Sequence, residues 1–257
     1  MKISTKLNDL LKVEHPIMLA GMAGVAYSEV CAAVSNAGGY GTLGAANMSV
    51  KEISEEAKKV RELTDKPFGI DLLSPVPDQL EKGVDAIIDS GASSFIAGLG
   101  VPFPIIEKLH NAGLLVISMC GTVNHAIKAE EAGCDIVVAQ GTEAGGHTGK
   151  IGGMALIPQV VDAVKIPVVA AGSIIDGRGL AAALAFGAVG VWVGTRFIMS
   201  NEAHAHQDAK DHMLNSGIED TIVTKSYTGK PCRCIKNDRI EKPVSYTHLT
   251  LPTNLSV

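Results

Sequence analysis

The loop Gln140-Gly141-Thr142-Glu143-Ala144-Gly145-Gly146-His147-Thr148-Gly149 carries the sharpest chemical signal in this 257-residue chain. Gly145 and Gly146 let main chain pass close to a flat ligand and set His147 beside it. An imidazole takes or gives a proton near neutral pH, so His147 fits a general base. The plain alternative is a surface histidine that bonds only backbone; the glycine context favours catalysis. Two further pairs, Gly172-Ser173 and Gly194-Thr195, each follow an apolar run. Glycine lets backbone amides approach an oxyanion and the hydroxyls add donors, a pairing suited to phosphate. The small-residue stretch Ala20-Gly21-Met22-Ala23-Gly24 has room to pass under a ring, although alone it reads as an ordinary turn. Asp71 closes another apolar run, where it either reaches the ligand or serves as a capping or paired carboxylate.

The elements that must position these groups are legible as apolar runs. They are Pro16–Leu19, Tyr40–Leu43, Pro67–Leu73, Ser94–Ala97, Leu114–Ser118, Asp135–Ala139, Ile166–Ala171 and Gly190–Val193. Near-continuous apolar runs are expected of parallel strands covered on both faces. Between them, apolar residues recur at helical spacing: Val50, Ile53, Ala57 and Val60; Leu80, Val84 and Ile87; Ile105, Ile106 and Leu109; Ile157, Val160, Val161 and Val164. Glycines at 38, 91, 113, 133 and 187 stop helices. Eight strands in strict alternation with seven helices predict an α/β fold of the closed (β/α)8 TIM-barrel type, with an open sheet as the weaker alternative. In such a barrel chemistry sits at the carboxyl ends of the strands, and phosphate often binds after the seventh and eighth. Every residue singled out above follows or ends a run.

Composition narrows the function class. Net charge is −5 and no Lys/Arg cluster appears, which argues against nucleic acid and anionic membranes as partners. Five scattered cysteines with no C-x-x-C argue against zinc and for reduced thiols, hence a cytoplasmic location. No apolar stretch is long enough for a membrane span. Gly39-Tyr40-Gly41-Thr42-Leu43-Gly44 matches G-x-G-x-x-G but straddles a strand, so it fails as a dinucleotide fingerprint. His204 and His206 lack the partners of a metal site, and Trp192 reads as core.

The runs PIMLAGMAG, SNAGGYGTLGA, QGTEAGGHTG and AAGSIIDGRGLAAALAFGAVGVWVGTRF resemble the nitronate monooxygenase family, formerly called 2-nitropropane dioxygenase. The same motifs are shared with the FMN-dependent enoyl-[acyl-carrier-protein] reductase of some bacteria. The likeness extends over nearly all of residues 14–241. It implies a barrel holding FMN without a covalent bond. Ala20, Gly21 and Met22 would lie against the isoalloxazine; Gln140, Ala144, Gly145 and Gly146 would line the ring and ribityl chain. Gly172, Ser173, Gly194 and Thr195 would hold the phosphate, and His147 falls on the catalytic histidine. Asp71 stands where relatives commonly carry asparagine near the flavin, and an ionised acid there would repel reduced flavin. The implied reaction is oxidation of nitronates or nitroalkanes by O2 to a carbonyl compound and nitrite. The rival is enoyl-thioester reduction by NAD(P)H, and an inactive flavin-binding fragment is the non-enzymatic alternative. A small-molecule substrate with O2 or NAD(P)H as co-substrate follows, and a homodimer is compatible.

Residues 1–199 read as the barrel and 200–242 as part of a C-terminal cap, because the texture turns polar after the eighth run. The only helical pattern there, near His204–Ser216, has a thin apolar face. Residues 243–257 read as translated sequencing adapter rather than natural protein, which would leave the barrel truncated after strand 8.

Overall fold

In the computed structural model, the described residues are 3–72, 77–98, 100–237 and 240, with the side chains of 77–80 also left aside. Leu73 and the suspected adapter segment lie outside that set, as does the side chain of Leu80. The eight apolar runs form eight parallel strands: β1 (Ile17–Leu19), β2 (Gly41–Gly44), β3 (Phe68–Leu72), β4 (Ser94–Ala97), β5 (Leu115–Cys120), β6 (Ile136–Gln140), β8 (Val168–Ala171) and β9 (Gly190–Val193), with a short β7 (Gly146–His147) inserted after β6. The sheet runs β1-β9-β8-β6-β5-β4-β3-β2. Its two ends meet through a parallel bridge between Met18 and Tyr40, with Leu19 and Tyr40 amides donating across it at 2.9 Å each. The fold is a (β/α)8 barrel.

Side-chain alternation explains why the runs are apolar throughout. Met18, Tyr40, Ile117, Ile136, Val138, Val169 and Trp192 fill the barrel interior. Their strand neighbours Leu19, Val116, Val137, Ala139, Val168 and Val191 pack outward under the helices. Successive strand residues point to opposite faces, and here both faces are dry.

The outer layer comprises α2 (Ser28–Asn36), α3 (Val50–Leu63), α4 (Pro77–Asp89), α5 (Ile106–Asn111), α6 (Val123–Glu131), α7 (Gly153–Ala163) and α8 (Gly177–Ala185). The five glycines read as helix stops all carry φ between +74° and +97°, the left-handed turn that glycine adopts without a Cβ clash. One helix has no counterpart in the sequence reading: α1 (Lys6–Leu11) precedes β1 and plugs the amino end of the barrel. Its Leu7 and Leu11 are buried with the interior cluster, and Thr5 caps it.

After β9 come a single turn, α9 (Thr195–Ile198), the exposed helix α10 (Gln207–Leu214), and the hairpin β10 (Thr221–Thr224) with β11 (Cys232–Ile235). β11 pairs antiparallel with β7, so this segment returns to the loop after β6. A groove of about 220 Å³, lined by Ile17, Val30, Val34 and Phe197 among others, lies on the outer wall between α2 and α9. No helix among the described residues is long and apolar enough to cross a membrane.

Candidate active site

The carboxyl ends of the strands converge on one mouth, and the residues singled out in the sequence surround it. Gln140 ends β6 opposite Ala171 of β8, and Ala171 lies opposite Trp192 of β9. Gly172-Ser173 and Gly194-Thr195 therefore leave the sheet side by side. Close approaches tie the loops together. A Cβ on Gly145 would lie 3.6 Å from the Thr195 hydroxyl, and one on Gly194 3.5 Å from both Ala20 Cβ and the Met22 sulfur. Ala144 is buried behind this junction.

The two glycine–hydroxyl pairs are unspent donors. Gly172 has φ +119° and Ser173 φ +51°, so the chain turns through two left-handed residues in succession. Neither the amide nor the hydroxyl of Ser173 or Thr195 has a hydrogen-bond partner among the described residues. Amides left open at a loop and at the start of a helical turn suit an anion.

On the opposite wall, Gly21 packs onto Asp71 so tightly that any side chain at 21 would overlap the carboxylate. Gly44, at the end of β2, meets the Met22 backbone in the same way. The G-x-G-x-x-G match thus has a packing meaning: its last glycine lets the β1 turn lie against β2. Asp71 is 8% exposed and its carboxyl has no hydrogen-bond or ion-pair partner among the described residues. Burial pushes its pKa up to about 8, so it is a neutral acid at pH 7. In that state it carries no charge with which to repel an anionic ligand.

His147 is held differently. Gly146, at φ +77°, turns the chain into β7. The Gln140 side-chain amide donates to the His147 carbonyl at 2.6 Å. The imidazole Nε2 lies 2.8 Å from the Thr228 hydroxyl. Cys232 of β11 is the ladder partner of His147, and the Thr148 amide donates to Pro231 O at 3.1 Å. Arg233 Nε donates to Thr142 O at 3.1 Å, and its guanidinium also reaches the Thr221 hydroxyl at 3.0 Å. The Gly153 amide donates to both oxygens of Glu143 at 3.1 Å, which caps α7 and fixes the base of the loop.

Thr228, Arg233 and Glu143 were missed as site residues by sequence reasoning. Thr228 and Arg233 lie near the end of the 14–241 span of the family likeness, where nothing in the sequence announces a contact with His147. Among the described residues, no group of three metal-ligating side chains exists. His204 packs edge-on against Tyr27, and Trp192 is core.

The sequence and the fold are matched in known proteins. The nitronate monooxygenase family model matches residues 4–86 and 79–255. The chain belongs to the nitronate monooxygenase family. A probable nitronate monooxygenase of Staphylococcus saprophyticus is 39% identical over 292 aligned positions, covering 96% of this chain and 82% of that protein. A (3aS,4S,5R,7aS)-5-hydroxy-7a-methyl-1-oxo-octahydro-1H-indene-4-carboxyl-CoA dehydrogenase of Rhodococcus jostii is 40% identical, covering 93% and 67%. The structure of FabK from Thermotoga maritima superposes with a TM-score of 0.88 at 38% identity, covering 92% of this chain and 76% of that one. Membership makes the chain a flavin-dependent oxidoreductase.

Proposed function

We propose that the protein binds FMN across the barrel mouth and oxidises nitronates, or the nitroalkanes that give rise to them, with O2 to a carbonyl compound and nitrite. The observation that carries this reading is the pairing at one mouth of unspent anion donors with a tethered imidazole. The open amides and hydroxyls of Ser173 and Thr195 fit a phosphate. Gly145 and Gly194, where a Cβ would meet nothing nearer than 3.5 Å, leave backbone open to a flat ring. Asp71 supplies a buried polar group that still lacks a partner. When bound, the flavin would supply the electron acceptance and its return to O2. His147 would take the proton from the carbon beside the nitro group and then, as the imidazolium, face the nitro oxygens.

The test is oxygen consumption by the FMN-loaded protein with propionate 3-nitronate and, separately, with its parent nitroalkane 3-nitropropionate, beside His147→Ala. Loss of the base should lower kcat/KM for the nitroalkane by roughly 10²- to 10⁴-fold while the flavin stays bound, and should touch the nitronate, which has no such proton to lose, far less. Undiminished turnover of the nitroalkane by the alanine variant would remove His147 from the mechanism as its base.

A second reading uses the same site to exchange hydride between NAD(P)H and a thioester, as in enoyl-thioester reduction. The relative whose name specifies a carboxyl-CoA compound favours that substrate class. NAD(P)H oxidation with a crotonyl thioester, set against oxygen uptake with the nitronate, separates the two.

A further inference from the structure

We propose that the Asp71 carboxyl carries its proton when the flavin enters and donates it as a hydrogen bond to an acceptor on the ring, so that flavin binding is linked to one proton at this residue. The inference rests on the cofactor reading above and adds the protonation state in which this chain receives the ring.

Placement comes first. Asp71 is the fourth residue of β3, paired with Gly44 on one side and Ile96 on the other. Gly69, two residues earlier, faces Tyr40 and Ile96 in the barrel interior, whereas Ile70 packs outward. By strand alternation Asp71 shares the interior face, one layer nearer the mouth. Gly21 closes over it from the β1 turn.

Charge comes second. The residues that pack on or pair with Asp71 are Gly21 from the β1 turn, Gly44 and Ala45 at the end of β2, and Ile96 of β4. None of them titrates and none carries charge. Burial alone acts on the carboxyl, with no cation to favour its ionised form. A buried carboxylic acid with no partner inside the protein is costly to leave unsatisfied, and it has one O–H to give. A carboxylate in the same place could only accept. The flavin ring offers carbonyl and imine acceptors, and its arrival would meet the donor's unfilled need. Ionisation of Asp71 would turn that contact from attraction into repulsion between lone pairs.

The experiment is FMN titration of the apoprotein, followed by flavin fluorescence, from pH 7 to pH 9. The phosphate is already almost fully ionised over this range. Near-UV circular dichroism at each pH keeps lost affinity apart from unfolding. The parent Kd should hold steady to about pH 8 and rise roughly tenfold by pH 9, as ionised Asp71 must regain its proton to bind. Asp71→Asn, which keeps a donor that cannot ionise, should give a flat profile. A flat parent profile overturns the inference, as does an equal rise in the asparagine variant. If neither protein binds FMN at any pH, the cofactor reading itself fails and this inference falls with it.

Discussion

Asp71 and His147 stand three strands apart around the ring, on β3 and just past β6, and the protein secures them by opposite means. Asp71 grows directly from a strand. Its position is set by ladder pairing on both sides and by a glycine pressed against it. It needs no side-chain partner to be in place, and it has none. His147 sits on a two-residue strand inside a loop, partly open to water. It is held by residues far along the chain: Thr228 on its ring, Cys232 across the ladder, and Arg233 on the loop that carries it. A rigid sheet can place a group by backbone alone, at the cost of a desolvated acid. A loop leaves its group solvated and must recruit a second segment to aim it.

The largest expected effect lies on the barrel side. The native state holds the Asp71 proton up to about pH 8, whereas the unfolded chain releases it near 3.8. Between those values the folded form binds more protons, so this group lowers stability as pH rises, and the full cost is reached above pH 8. At about 1.4 kcal/mol per unit, the cost is on the order of several kcal/mol. Urea unfolding of the apoprotein at pH 9 should therefore show Asp71→Asn more stable than the parent by that order, with the gap closing near pH 4. Parallel curves across the range would mean that Asp71 is not a desolvated acid, and the contrast with His147 would break.

The strap side should respond more modestly and in a different quantity. Thr228→Val removes the hydroxyl from the His147 ring while keeping the side chain's bulk. The expected result is about a fivefold loss in kcat/KM, in line with one hydrogen bond of about 1 kcal/mol, with Thr228→Ser restoring most of it. A structural effect alone would leave the imidazole's tautomer ratio unmoved. Nitrogen NMR of His147 in the apoprotein should instead show a changed tautomer ratio in the valine variant. An unchanged spectrum would reduce the strap to a cover over the loop.

The same division explains what the sequence made legible. All eight strands fell within two residues of their apolar runs, because a strand dry on both faces has no freedom to be polar. The mouth residues followed from strand ends and glycine neighbours. Asp71 was visible as a position but not as a neutral acid, since its lack of a partner depends on three strands at once. The strap left little trace. Thr221–Thr224 and Cys232–Ile235 are short, half-exposed strands with no apolar period, and the pairing of the second with Gly146–His147 spans more than eighty residues. Likewise α1 buries only Leu7, Asn8 and Leu11, too few positions to announce a barrel plug.

The smallest effect concerns a residue that is locally the wrong choice. Ser173 sits at φ +51°, where a side chain costs about 1 kcal/mol or more relative to glycine. Ser173→Gly should relieve that strain, but it also frees the unfolded chain, so stability should change by less than about 1 kcal/mol. If serine stands there for its hydroxyl, the substitution should weaken FMN severalfold and leave riboflavin binding unaltered, because only FMN presents a phosphate. Equal weakening of both ligands would place Ser173 against the ring or ribityl chain. In that case Thr195 and the loop amides would remain as the anion donors on this wall.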